Sequence, residues 1–192
     1  REKGVVSAVD RVSITVKKGE TYGLVGESGC GKSTMGRLIA GLERPSGGAI
    51  ELDGRDLATL KGRDAVTIHR DVQMMFQDSY AAMDPRMRID QILAEPMSIQ
   101  KTGNARQIAE RIMEIIEQVG LTEEILDRYP HEFSGGQLQR IMIAMALLNE
   151  PALLIADEPT TALDVTIQAE ILDLLHDLQK QMGMAIIFIT HD

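Results

Sequence analysis

A glycine-rich loop near the start of the chain limits the possible folds more than any other feature. Gly26-Glu27-Ser28-Gly29-Cys30-Gly31-Lys32-Ser33-Thr34 fits the pattern G-x-x-x-x-G-K-[ST]. It directly follows a short strand-like run, Thr21–Val25, and opens a helical segment, Lys32–Ala40, that Gly41 stops. Glycines let the backbone curl so that successive N–H groups point inward at a polyphosphate. The positive end of the following helix adds to that field. Lys32 supplies a point charge for the β- and γ-phosphates, and the Ser33 hydroxyl suits Mg²⁺. Chance alone produces the pattern in about one chain of this length in a hundred. A flexible Gly/Ser turn is therefore the poorer explanation, and a nucleotide site is expected. Cys30 is read as an outward-facing position within the loop.

Beyond the loop, strand patterns alternate with helical ones. Val12–Val16 alternates apolar and polar residues, the period of a half-exposed strand. Ala49–Leu52 and Val72–Phe76 are further strand candidates. Between Pro85 and Val119 the pattern becomes helical, with Ile108, Ile112, Ile115 and Val119 on one face. Gly136–Leu148 reads as a helix and Leu153–Ala156 as a strand buried on both faces. Thr166–Met182 is helical, and Ala185–Ile189 closes the series as a buried strand with nothing after it to cover its far side. This order implies an α/β fold around a largely parallel core sheet. The opening strands look antiparallel, and 85–148 looks like an inserted helical subdomain, with 1–84 and 149–192 forming the core and its β subdomain. Both ends look cut, as in a fragment of a longer protein.

Composition narrows the function classes. The 192 residues are 44% hydrophobic and 26% charged, enough for one sizeable core. No apolar run approaches the roughly 18–20 residues of a membrane span, which leaves any membrane role to partners. A net charge of −9 argues against nucleic acid as a partner. One cysteine rules out an internal disulfide and fits a reducing compartment. The 11 methionines read mainly as core filler.

Leu153-Leu154-Ile155-Ala156-Asp157-Glu158 is an apolar strand running into two carboxylates. At the carboxyl edge of a parallel sheet Asp157 is placed to reach Mg²⁺, directly or through water. Glu158 is then the candidate to orient and deprotonate an attacking water. Gln77, after a strand, could reach both Mg²⁺ and that water. His191, after the final strand, could hydrogen-bond the γ-phosphate. Acidic pairs also end strands as solvated turns, but beside a phosphate loop the catalytic reading is the better one.

Phe133-Ser134-Gly135-Gly136-Gln137 adds glycines at a helix start after a serine, a second anion-binding N-terminus. A simple kinase or small GTPase has no need of one. In this order the motifs resemble the ATP-binding cassette (ABC) family: phosphate loop at 26–34, Q-loop at Gln77, signature at 133–137, Walker B carboxylates Asp157 and Glu158, D-loop Ala162-Leu163-Asp164 and switch His191. The resemblance covers nearly the whole chain. It implies a P-loop NTPase fold with a RecA-like core sheet, an antiparallel β subdomain and a helical subdomain. It also implies ATP hydrolysis with Mg²⁺ as cofactor.

In this family two cassettes pair head to tail around two ATP molecules. Ser134, Gly135, Gly136 and Gln137 of one cassette then face the phosphate loop of the other, and Asp164 lies at the seam. A narrower likeness, to the ATPase subunits of oligopeptide and dipeptide permeases, rests on Asp71–Tyr80, Asp84-Pro85-Arg86-Met87, Arg128–Arg140 and Thr161–Gln168. It implies integral membrane permease subunits as partners, an external solute-binding protein indirectly, and a place on the inner face of the cell membrane. A groove around Tyr80–Met97 would receive a short helix of the membrane subunit and give some methionines a surface use. The same group includes nickel and glutathione importers. The signature opens with Phe133 in place of the usual Leu, and residues 1–21 hold no aromatic to stack on adenine. The competing reading is a soluble ABC ATPase of the DNA-repair or ribosome-associated kind. The chain has no room for the coiled coils of the former and only one of the two cassettes usual in the latter.

Overall fold

A computed structural model describes residues 7–60, 63–78, 80–161 and 163–191. Its centre is a sheet of four parallel strands, β1 (Thr21–Val25), β4 (Val72–Met75), β5 (Leu153–Asp157) and β6 (Ala185–Thr190). They lie in the order β1-β6-β5-β4. A separate hairpin, β2 (Glu51–Leu52) with β3 (Arg55–Asp56), is antiparallel. The helices are α1 (Lys32–Ile39), α2 (Arg63–Asp71), α3 (Ile89–Gln100), α4 (Ala105–Gln118), α5 (Gly135–Leu147) and α6 (Val165–Met182).

Alternation along the strands divides the core in two. Leu153, Ile155, Ala185, Ile187 and Ile189 face one side with Ala40 at the end of α1, while Leu154 and Ile186 face the other. On that second side they join Ile112, Ile115, Ile116, Ile141, Leu147, Ile171, Leu175 and Leu178 of α4, α5 and α6. All five residues of β5 are buried, which is why that stretch is a near-continuous apolar run. Gly36 lets α1 lie close on the sheet. A Cβ there would stand 3.0 Å from Ile189 Cδ1 and 3.3 Å from Ile155 Cγ2.

Three expectations need correction. Val12–Val16 carries no strand, although Ile14 and Val16 pack on the α1 side of the core. Its alternation reports which side chains are covered; it does not report a hydrogen-bonded neighbour. β1 is not part of an antiparallel pair, since it pairs in parallel with β6, and the antiparallel part of the fold is the β2–β3 hairpin. Nor does β6 lack cover, because it lies between β1 and β5. Met75, Met83, Met97, Met142 and Met184 are buried, so the core use of methionine holds. Met83 and Met97 therefore give no surface to the expected Tyr80–Met97 groove. No helix among the described residues is long and apolar enough to cross a membrane.

Candidate active site

The phosphate loop joins β1 to α1, and its conformation depends on glycine. Gly31 has φ 100°, and a Cβ there would lie 2.1 Å from the carbonyl oxygen of Ala8. No L side chain fits both constraints. Gly31 is also the N-cap of α1 and offers no side-chain acceptor, so the first-turn amides of this helix have no side-chain cap. α4, α5 and α6 differ, since Asn104, Ser134 and Asp164 cap them with their side chains. An uncapped helix start behind a glycine loop suits an anion.

Lys32 is 7% exposed, and its Nζ donates to the carbonyls of Gly26 at 2.6 Å and Glu27 at 2.8 Å. The ammonium is thus held against the loop. Cys30 is exposed, with Sγ 3.9 Å from Lys32 Nζ. The Ser33 hydroxyl donates to Asp157 Oδ1 at 3.1 Å, joining α1 to the end of β5. Burial pushes the Asp157 carboxyl above its ordinary range. The Ser33 hydrogen bond opposes that shift, the Glu158 charge adds to it, and Arg37 and Lys32 oppose it. A hydroxyl and a buried carboxylate in contact form a donor pair suited to a hard divalent ion such as Mg²⁺.

Glu158 follows at φ 48°, and its N–H donates to the Ile189 carbonyl at 2.9 Å. That bond ties the end of β5 to β6 and turns the Glu158 side chain toward three polar groups. Gln77 Nε2 donates to Oε2 at 3.0 Å, and so does the Thr161 hydroxyl at 3.0 Å. His191 Nδ1 lies 3.1 Å from Oε1. Desolvation works to raise the Glu158 carboxyl. The hydrogen bonds from His191 and Thr161, with the charges of His191 and Lys32, outweigh it and hold the carboxyl below its ordinary range. Glu158 is therefore ionised at neutral pH, as a base must be.

Gln77 and His191, chosen for Mg²⁺ and phosphate contacts, thus meet on Glu158. Thr161 is the residue that sequence reasoning missed. Its signal was a hydroxyl three positions after the second carboxylate, in a turn where Thr161 N donates to the Glu158 carbonyl. Beyond Gln77, Asp78 Oδ1 accepts from the amides of Tyr80 and Ala81. Arg86 folds back on Asp84 and holds that carboxyl at about 2.

At the signature, Ser134 Oγ accepts from Gln137 N at 3.4 Å, while Gln137 Oε1 accepts from Ser134 N at 3.1 Å. The cap on the amide is long. The glycines also serve packing: a Cβ on Gly135 would stand 3.2 Å from Leu163 Cδ2, and one on Gly136 2.8 Å from Ile167 Cγ2. Phe133 has a use for its ring, which lies 4.3 Å under the Arg128 guanidinium. Asp164 caps α6 by accepting from Ile167 N at 3.1 Å. Ala162 of the expected D-loop lies outside the described residues.

A phosphate loop after β1 and paired carboxylates at the end of β5 in one parallel sheet, with a serine-capped glycine start on a separate helix, are the marks of an ATP-binding cassette. The chain belongs to the ABC transporter family, whose model matches residues 9–161. It is similar to the oligopeptide transport ATP-binding protein OppF of Salmonella typhimurium, with 48% identity over 188 residues, 97% of this chain and 56% of that protein. It is also similar to the putative oligopeptide transport ATP-binding protein YkfD of Bacillus subtilis, at 46% over 192 residues, 100% of this chain and 58% of that one. The chain spans a little over half the length of these curated relatives. Among solved structures it resembles the ATP-binding cassette MJ0796 in a dimeric post-hydrolysis state bound to ADP and Pi. There the TM-score is 0.87 at 30% identity, covering 100% of this chain and 83% of that one.

Proposed function

We propose that this chain is the ATP-binding and hydrolysing domain of an importer for peptides. The observation that carries the hydrolytic part is the convergence of Gln77, Thr161 and His191 on Glu158, one residue beyond the Ser33–Asp157 pair. The similarity to OppF, an oligopeptide transport ATP-binding protein, and to YkfD, a putative one, supports the cargo class.

In this reading the loop amides of Gly26–Thr34 and the Lys32 ammonium hold the β- and γ-phosphates of ATP. Ser33 and Asp157 would hold Mg²⁺, with Gln77 beside them, and the ion would neutralise charge on the phosphate oxygens. Glu158 orients a water and takes its proton as the water oxygen bonds to the γ-phosphorus. The bond from that phosphorus to the β–γ bridging oxygen breaks, giving ADP and phosphate. Gln77 and Thr161 keep Glu158 aimed and ionised, and His191 braces its other oxygen and reaches toward the γ-phosphate.

The signature, Ser134–Gln137, acts across a head-to-tail pair of cassettes, with Asp164 at the seam. Residues 1–84 and 149–192 form the catalytic core, and 85–148 the helical subdomain that moves the signature. Integral membrane permease subunits dock on the cytoplasmic side, and a solute-binding protein delivers cargo from outside.

Glu158→Gln is the test. It should keep nucleotide affinity within about twofold while lowering turnover by about 10²–10⁴-fold, the usual cost of one positioned catalytic group. Retention of more than about a tenth of wild-type turnover would remove Glu158 as the base. Affinity capture of the full-length protein from solubilised native membranes should bring down multi-span subunits. Ribosomal or DNA-associated partners instead would overturn the importer.

A further inference from the structure

The turn that follows Glu158 carries one contact to the proposed base and one to the signature helix, and one side chain outside it bonds to two of its carbonyls. Thr161 reaches back to Glu158 Oε2, and Leu163 packs against the signature helix at Gly135. Gln168 sits on α6, anchored through the Asp164 cap, and is half-buried. Its Nε2 donates to the Thr160 carbonyl at 3.0 Å and to the Leu163 carbonyl at 3.0 Å. A side-chain amide has two N–H donors, so both are committed to this turn. Among the described residues of the turn the backbone adds Leu163 N to Thr160 O at 3.0 Å and the longer Thr161 N to Glu158 O at 3.3 Å.

We infer that Gln168 is a positioning residue for hydrolysis. Its amide, carried on the start of α6, holds the carbonyls of Thr160 and Leu163 so that the Thr161 hydroxyl aims at Glu158 and Leu163 seats against the signature helix. The inference rests on the assignment of Glu158 as the base. The chemistry at issue is hydrogen-bond donation, since two carbonyl oxygens point at one group. A residue that merely filled the space would serve as well without donors.

Two substitutions separate these roles in the full-length protein. Gln168→Met keeps volume and loses the donors; Gln168→Lys keeps donors on a long stem. Gln168→Met should lower the kcat of ATP hydrolysis about tenfold with KM within about twofold, the pattern of a group that acts in the transition state. Gln168→Lys should recover at least half of that loss. In a Thr161→Val background the Gln168→Met effect should shrink, because the two act through one contact. Gln168→Met equal to or better than Gln168→Lys, or a parallel change in kcat and KM, would overturn the inference. A second readout is independent of turnover. Exchange of the Leu163 amide hydrogen should be at least about tenfold faster in Gln168→Met than in wild type or Gln168→Lys. Unchanged protection would also overturn it. Absence of ATPase activity in the wild-type protein would instead sink the assigned function, and the exchange measurement would then decide Gln168 alone.

Discussion

Glu158 and Asp157 are adjacent in the chain, yet their surroundings move their protonation in opposite directions. For Glu158 the hydrogen bonds win over desolvation and the folded carboxyl lies low. The stability it contributes is present above the ordinary carboxylate range and is lost as pH falls through the folded value. Removing one of those hydrogen bonds must move the value up. Thr161→Val should therefore shift the acidic limb of the rate–pH profile to higher pH and lower turnover at neutral pH about fivefold, the worth of a hydrogen bond of about 1 kcal/mol. An unmoved limb would show that Thr161 does not support the base. Asp157 is the reverse case, because burial raises it. Its contribution to stability is full below the ordinary carboxylate range and is lost as pH rises through the raised folded value. Asp157→Asn keeps an acceptor for the Ser33 hydroxyl and removes the buried charge. It should raise the melting temperature of the nucleotide-free protein at neutral pH while abolishing Mg²⁺-dependent hydrolysis. A lower melting temperature would mean that the carboxylate is better compensated than its neighbours suggest.

At the scale of elements, legibility followed the strength of the local signal. The strand before the phosphate loop, the helix after it and the buried β5 and β6 were plain because long apolar runs and glycine stops are local features. α2 (Arg63–Asp71) was missed, since its nine residues are largely polar and hold too few apolar side chains to make a run visible in the sequence. Val12–Val16 misled because alternation records covered side chains whether or not a strand neighbour exists. In the site, motif spacing revealed the loop, Asp157, Glu158 and the signature. What spacing could not reveal was the fold-made meeting of Gln77 and His191 on Glu158, whose partners stand 81 and 33 positions away in sequence (158 − 77 and 191 − 158). Gly36 illustrates a packing demand that no motif announces. Gly36→Val should place methyl groups against Ile189, Ile155 and Met74. Overpacking of this kind costs about 1–3 kcal/mol, which lowers the melting temperature by about 2–12 °C for a domain of this size. A variant that melts with the wild type would mean that α1 can lift off the sheet without loss.

For the whole molecule, the two helix starts proposed to bind phosphate are differently prepared. α1 begins on a bare glycine, while α5 begins on Ser134 with a long cap to Gln137. If the signature acts on the nucleotide of a second cassette, the two sites fail separately. Ser134→Arg should leave nucleotide binding by one cassette within about twofold of wild type. It should reduce turnover by at least about 10²-fold. Equal loss of binding and turnover would contradict action across a pair. The position of β6 has a consequence for how such a molecule is made. Among the described residues β1 and β5 are not neighbours in the main sheet, and β6 pairs with both. On a ribosome, the strand of the loop-bearing β1–α1 unit and those of the carboxylate-bearing β4–β5 unit cannot join one sheet until residues 185–190 emerge and slot between them. The long sequence separation of those pairings makes this a slow step with exposed strand edges meanwhile. Nascent chains arrested before that point are the ones a chaperone should recognise.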